Sequence, residues 1–173
     1  MFTKADIEKY FIAEKNESLL FLVLGVLAIS LSIFFYSYLK TNFYKGAAAP
    51  LLLIGLIQAV AGYAVYARSD QQRIEMVYAY DMNPGKLKSE EVPRMNKVNR
   101  DFVIYRWVEI GLLAIGIMLI FLNRSNPKGS FWLGLGITLA IQAAIALGAD
   151  YFAEKRAKIY CIQLENFSQR QPT

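Results

Sequence analysis

Arg106 and Glu109 stand three residues apart at the edge of a long uncharged stretch. On a helix they can pair, which lowers the cost of placing either charge in an apolar medium. Glu17 borders another such stretch at a similar depth and is a third member of the group. Asp150 and Glu154 follow the last stretch; as carboxylates they could exchange protons, and the plainer expectation is a solvated helix end. A second set is uncharged. Thr138, Gln142, Ala146 and Asp150 recur every four residues and share one helix face, and Gln58 holds the corresponding place in an earlier stretch. Gln58, Gln142, Thr138, Arg106 and Glu109 are therefore the candidates for an intramembrane polar site. The competing expectation is packing: Gly136, Ala140, Ala144 and Gly148 form an adjacent small-residue stripe that lets helices approach, with the glutamine bonding across. Neither glutamine carries a charge, which argues against a proton relay.

Outside these groups the inventory excludes most catalytic machinery. There is no histidine and one cysteine, Cys161, so a zinc site, a Cys/His pair, a Ser/His/Asp triad and a histidine-ligated haem have no residues to build them. No glycine-rich phosphate loop or metal-spaced carboxylate cluster occurs. The expectation is no catalytic residue, no metal ligand and no cofactor. The balance is basic, net +5, but the cations lie at the ends of apolar runs instead of in a block with interleaved aromatics. Nucleic acid is therefore not the expected partner, and a bilayer is.

Composition points the same way. The 173 residues are 55% hydrophobic and only 19% charged, where soluble domains carry about 25% charged residues. Uncharged runs cover 18–39, 46–67 and 129–149. At about 1.5 Å per residue, a run of roughly 20 residues crosses a hydrocarbon core of about 30 Å. A further span requires extending Ile110–Asn123 back through Glu109 and Arg106 to Phe102, because the uncharged part alone is short. LLAIGIMLIFL has no polar face, so a soluble amphipathic helix does not fit it. Pro50 falls near the start of the second run, where a missing N–H is tolerated.

Fifteen of the nineteen Lys and Arg residues fall in the two tails and the central connection, and four in the short loops (Lys40, Lys45, Arg124, Lys128). The positive-inside rule then places both termini and the central segment in the cytoplasm. Tyr36, Tyr38, Tyr44, Phe131 and Trp132 at one boundary, and Tyr63, Tyr66, Tyr105, Trp107 and Tyr151 at the other, form the expected aromatic belts.

Residues 1–17 read as a short amphipathic helix with Thr3 and Asp6 as a capping box and Ile7, Tyr10 and Phe11 on one face. They are too polar to be a cleaved signal peptide. Residues 68–101 read as a helical hairpin continuing the second span. It breaks at Asp81–Gly85 and restarts near Ser89-Glu90-Glu91, with acids in the first turn. The tip, with Tyr78, Tyr80, Asp81 and Met82, is a candidate partner-binding surface, since exposed Tyr and Met favour interfaces. The fourth helix is expected to continue to about Gln163, with a frayed tail from Glu165. Lys45-Gly46 preceding Ile57-Gln58-Ala59, and Lys128-Gly129 preceding Ile141-Gln142-Ala143, suggest a parallel internal repeat; chance resemblance of apolar helices is its rival.

The expectation is thus an all-α polytopic membrane protein: spans at 18–39, 46–67, 102–123 and 129–150, arranged in two hairpins, with cytoplasmic helical extensions at 68–101 and 151–173. The expected location is a bacterial inner membrane, with both termini cytoplasmic. The expected activity is non-enzymatic interaction with another membrane or secreted protein, as an accessory subunit or an immunity-type protein against a membrane-directed toxin, or with a second copy of itself. The alternative is a small dimeric transporter or channel with a polar path near Gln58 and Gln142. A lipid-directed enzyme using Glu109, Asp150 or Glu154 has the least support.

Overall fold

The computed structural model describes residues 2–169, and every regular element among them is helical. Helix α1 (Lys4–Phe34) ends in a π-helical turn at Phe35–Leu39, and α2 spans Asn42–Met82. A single turn, α3 (Pro84–Lys86), and a π-turn at Leu87–Glu91 lead into α4 (Val92–Asn123). A 3₁₀ turn at Pro127–Gly129 connects it to α5 (Ser130–Gln169). Four stretches, Lys4–Leu39, Asn42–Met82, Pro84–Asn123 and Ser130–Gln169, are long and apolar enough to cross a membrane.

Glycines and hydroxyls set the packing. α1 lies antiparallel on α2 because Gly25 and Gly55 meet backbone to backbone, and Gly62 does the same against Ser18 and Leu22. The Ser32 hydroxyl donates to the Ala48 carbonyl at 2.8 Å. α4 and α5 pair in the same way through Gly116 against Gly136 and Ala140. α2 and α5 run parallel and join the two pairs, Gly46 lying on Phe131 and Gly134 on Phe43. α5 therefore lies between α2 and α4.

Several boundaries differ from the sequence reading. No break separates residues 1–17 from the first apolar run: α1 is continuous, and the expected cap is present, with Asp6 accepting from the Thr3 N–H and hydroxyl at 2.8 Å each. Pro50 lies inside α2 instead of in its first turn, because α2 already begins at Asn42. Its missing N–H leaves a carbonyl without its helical donor. Two neighbouring carbonyls gain side-chain donors, Ala48 from Ser32 and Ala47 from Thr138. The helix after Asn83 restarts at Pro84, not at Ser89, since proline suits a first helical position. The fourth helix does not fray at Glu165: Leu164 and Ser168 are buried and Phe167 packs on the same cluster. Residues 170–173 of the expected tail, including Arg170, lie outside the described residues.

The largest compact cluster is not in the apolar spans. It lies at the end of the bundle that holds the N-terminus, where Ile7, Phe11, Leu87, Met95 and Leu164 are fully enclosed. Burying such side chains contributes about 1.5–3 kcal/mol each relative to exposure. The spans themselves keep wide apolar faces outward, as helices do when their solvent is lipid.

Candidate functional site

At the level where the apolar stretches end, α1, α4 and α5 bring four acids and three bases together. Arg156 donates to Glu17. Arg106 Nη2 donates to Glu154 Oε1 at 2.8 Å, and Lys158 reaches the same oxygen at 2.6 Å. Arg106 thus pairs across helices with Glu154, and not with its own-helix neighbour Glu109. Glu154 is only 6% exposed, so it is an internal anchor and not a solvated helix end. Glu109 and Asp150 stand together across α4 and α5. Neither is paired with a cation among the described residues, and Glu109 Oε2 has no partner. Glu17 belongs to the group, as expected, although through Arg156.

Thr138 makes contacts between helices. Its hydroxyl lies 3.1 Å from the Ala47 carbonyl of α2 and 3.0 Å from the Gly134 carbonyl of its own helix, tying α5 to α2 near Pro50. Gln58 and Gln142 are both buried, each 7% exposed. No hydrogen bond joins them, and Gln142 Oε1 has no partner. Of the small stripe, Gly136 and Ala140 face α4, whereas Gly148 meets open space.

The tip residues divide. The Tyr80 hydroxyl donates to the Phe2 carbonyl at 3.1 Å and its ring stacks on Phe167; Asp81 pairs with Lys4 at 2.5 Å. Both serve internal contacts. Tyr78 and Met82 point outward.

One constellation was missed by sequence reasoning. Glu91, 2% exposed, accepts two hydrogen bonds from Arg94, Nε to Oε2 and Nη2 to Oε1, each at 2.7 Å. It takes a third from the Tyr160 hydroxyl at 3.1 Å. Tyr10 stacks on Tyr160 with centroids 4.2 Å apart and donates to Glu14 at 3.3 Å; the Ser69 hydroxyl lies 3.3 Å from the other Glu14 oxygen. The Arg94 guanidinium also covers the Phe11 ring at 5.3 Å. Burial first, then the Glu14 carboxylate, holds the Tyr10 phenol well above its ordinary value. Burial and then Glu91 do the same for Tyr160. The i,i+3 spacing of Glu91 and Arg94 was a usable signal. A groove of about 170 Å³ opens beside the stack, between Asp6 and Lys9 of α1 and Arg156 and Gln163 of α5.

Chemically, these groups neutralise and position one another. Among the described residues, no group of three or more His, Cys, Asp or Glu is placed to hold a metal, and Cys161 is buried and free. Compared with known proteins, the chain matches no family model, no curated protein and no solved structure.

Proposed function

We propose that this chain is a multi-pass protein of the bacterial inner membrane with both termini and residues 68–101 in the cytoplasm. It acts without catalysis, by contact with another membrane or secreted protein, as an accessory subunit or an immunity-type protein against a membrane-directed toxin. The charge asymmetry supports the sidedness. The observation that carries the interaction reading is the third long helix: only 6% of the residues in its most apolar stretch are buried. Trp107, Ile115, Met118 and Leu122 face outward along it, a full span's face open to a second membrane-inserted helix.

The test places a photo-crosslinking amino acid at Ile115 and at Met118 in the full-length protein in native membranes. The expected result is one heterologous protein captured in fixed stoichiometry after mild-detergent purification. Capture of lipid alone overturns the reading. The orphaned oxygen of buried Gln142 favours a second reading, a small dimeric transporter or channel; liposome flux that Gln142→Leu abolishes would establish it.

A further inference from the structure

Helix α2 keeps one face uncovered from end to end. Leu53, Ile57, Val60, Ala64, Ala67, Gln71, Ile74 and Tyr78 fall at alternating steps of four and three and are all exposed. The large members, Leu53, Ile57, Val60, Ile74 and Tyr78, are 63–68% exposed. This is the spacing of the seam between two wound helices. Lipid accounts for the row as far as Ala67. It does not account for Ile74 and Tyr78, which lie about 10 and 17 Å further along the helix at about 1.5 Å per residue.

Charge decides what covers the row. Two copies inserted with the same sides can bring one face against itself only around a two-fold axis along the membrane normal, so each residue meets its own counterpart at the same height. The row must then tolerate itself, and none of its eight positions is charged, although Arg68, Asp70, Arg73 and Glu75 lie on the same helix. Asp70 is held by Lys15 and Arg73, and Glu75 by Lys86, within the chain. Gln71 can both donate to and accept from its own counterpart. Arg68 forms no ion pair among the described residues. In a parallel seam it falls beside Tyr63 of the other copy, an exposed ring suited to a cation. The similar row on α5, from Ile141 through Phe152 to Ile162, carries Lys155 in its middle, which would meet itself.

We infer that a second copy of this chain covers the α2 face, in a parallel seam running from Leu53 to Tyr78. This self-contact rests on the four-span reading of the chain. It leaves the outer face of α4 free, because α5 stands between the two helices.

The test uses the full-length protein in native membranes with Cys161→Ala as background. Cys161 is buried, and burial pushes its thiol up, so the native residue is a poor competitor. Gln71→Cys and Tyr78→Cys are expected to form a disulfide-linked species of twice the mass at least tenfold faster than Ile159→Cys or Ile162→Cys on α5. Ile74→Lys with Tyr78→Lys places like charges opposite one another on exposed positions. It should weaken the dimer on the order of tenfold or more, read as one photobleaching step per fluorescent spot instead of two. Equal cross-linking from both faces, cross-links to a different mass, or a dimer indifferent to the paired lysines would overturn the self-contact. Lys86→Cys and Lys128→Cys, labelled from opposite sides, report the four-span reading by themselves. Failure of the seam with those sides intact removes the dimer alone.

Discussion

Glu91 and Arg94 offer a quantitative test of how the N-terminal end of the bundle is held. Arg94→Met leaves a carboxylate that is 2% exposed with one remaining donor, the Tyr160 hydroxyl. Stranding one member of a buried ion pair costs about 3–5 kcal/mol. Glu91→Leu strands the guanidinium instead, although Arg94 retains some access to water, which places it at the lower end of that range. With both replaced, the site becomes apolar and is expected to return to within about 1–2 kcal/mol of the parent, because desolvation offsets most of what an ion pair gains. The readout is amide hydrogen exchange in detergent micelles over residues 7–14 and 157–164, which face the pair. At about 1.4 kcal/mol per factor of ten, each single variant should speed exchange there by roughly 10² to several times 10³, with Glu91→Leu at the lower end. The double variant should fall back towards the parent. Single variants within tenfold of the parent, with additive effects in the double, would refute the claim that this pair locks α1, α4 and α5 together.

Three further outcomes are expected. Tyr10 is held neutral in the fold while its unfolded counterpart ionises near pH 10, so its contribution is full below that pH and lost as pH rises beyond it; Tyr10→Phe should shift the onset of alkaline unfolding upward, measured by circular dichroism. At Gly116 an added Cβ would lie 2.8 Å from the Ala140 nitrogen, whereas at Gly111 it meets nothing within 4 Å. Gly116→Leu should therefore cost about 1–3 kcal/mol or more in thermal melts, with Gly111→Leu unchanged. Gln142→Leu removes an unpartnered buried oxygen and should leave the melting temperature equal or raised, by up to about 1 kcal/mol of stability; a lowered value would mean that the amide makes a contact.

The four apolar helices were legible because length and lack of charge are local properties, visible at Ser18–Leu39 and Gly46–Ala67 without any partner. Helix boundaries were less so. Pro50 resembled a first-turn residue because Asn42–Lys45 is too polar to register as part of an apolar run, yet Thr41 caps it into the helix by accepting from the Tyr44 N–H at 3.5 Å. Pairing was the least legible. Arg106 has a good local partner in Glu109, and the competing Glu154 is distant in sequence, so only the packing of α4 on α5 could decide between them. In the sequence Glu91 is one of two acids at a helix start; that Arg94 folds back on it follows from Tyr160 and Phe11 closing the site, and both come from other helices. Tyr80 and Asp81 resemble a free tip for the same reason, their partners Phe2 and Lys4 lying far off in sequence at the start of the chain.

The unbroken run of α2 beyond Pro50, from Leu51 to Met82, has a mechanical consequence. On the proposed topology, the rod from Leu51 to Met82 passes from hydrocarbon into water without a break and cannot reorient in one phase alone. If bilayer thickness changes and the rod leans by about 5°, its last 15 residues, about 22 Å long, sweep their tip sideways by about 2 Å. Because Tyr80 and Asp81 near that tip are fastened to Phe2 and Lys4, the displacement is passed to the start of α1 instead of being absorbed by a flexible joint.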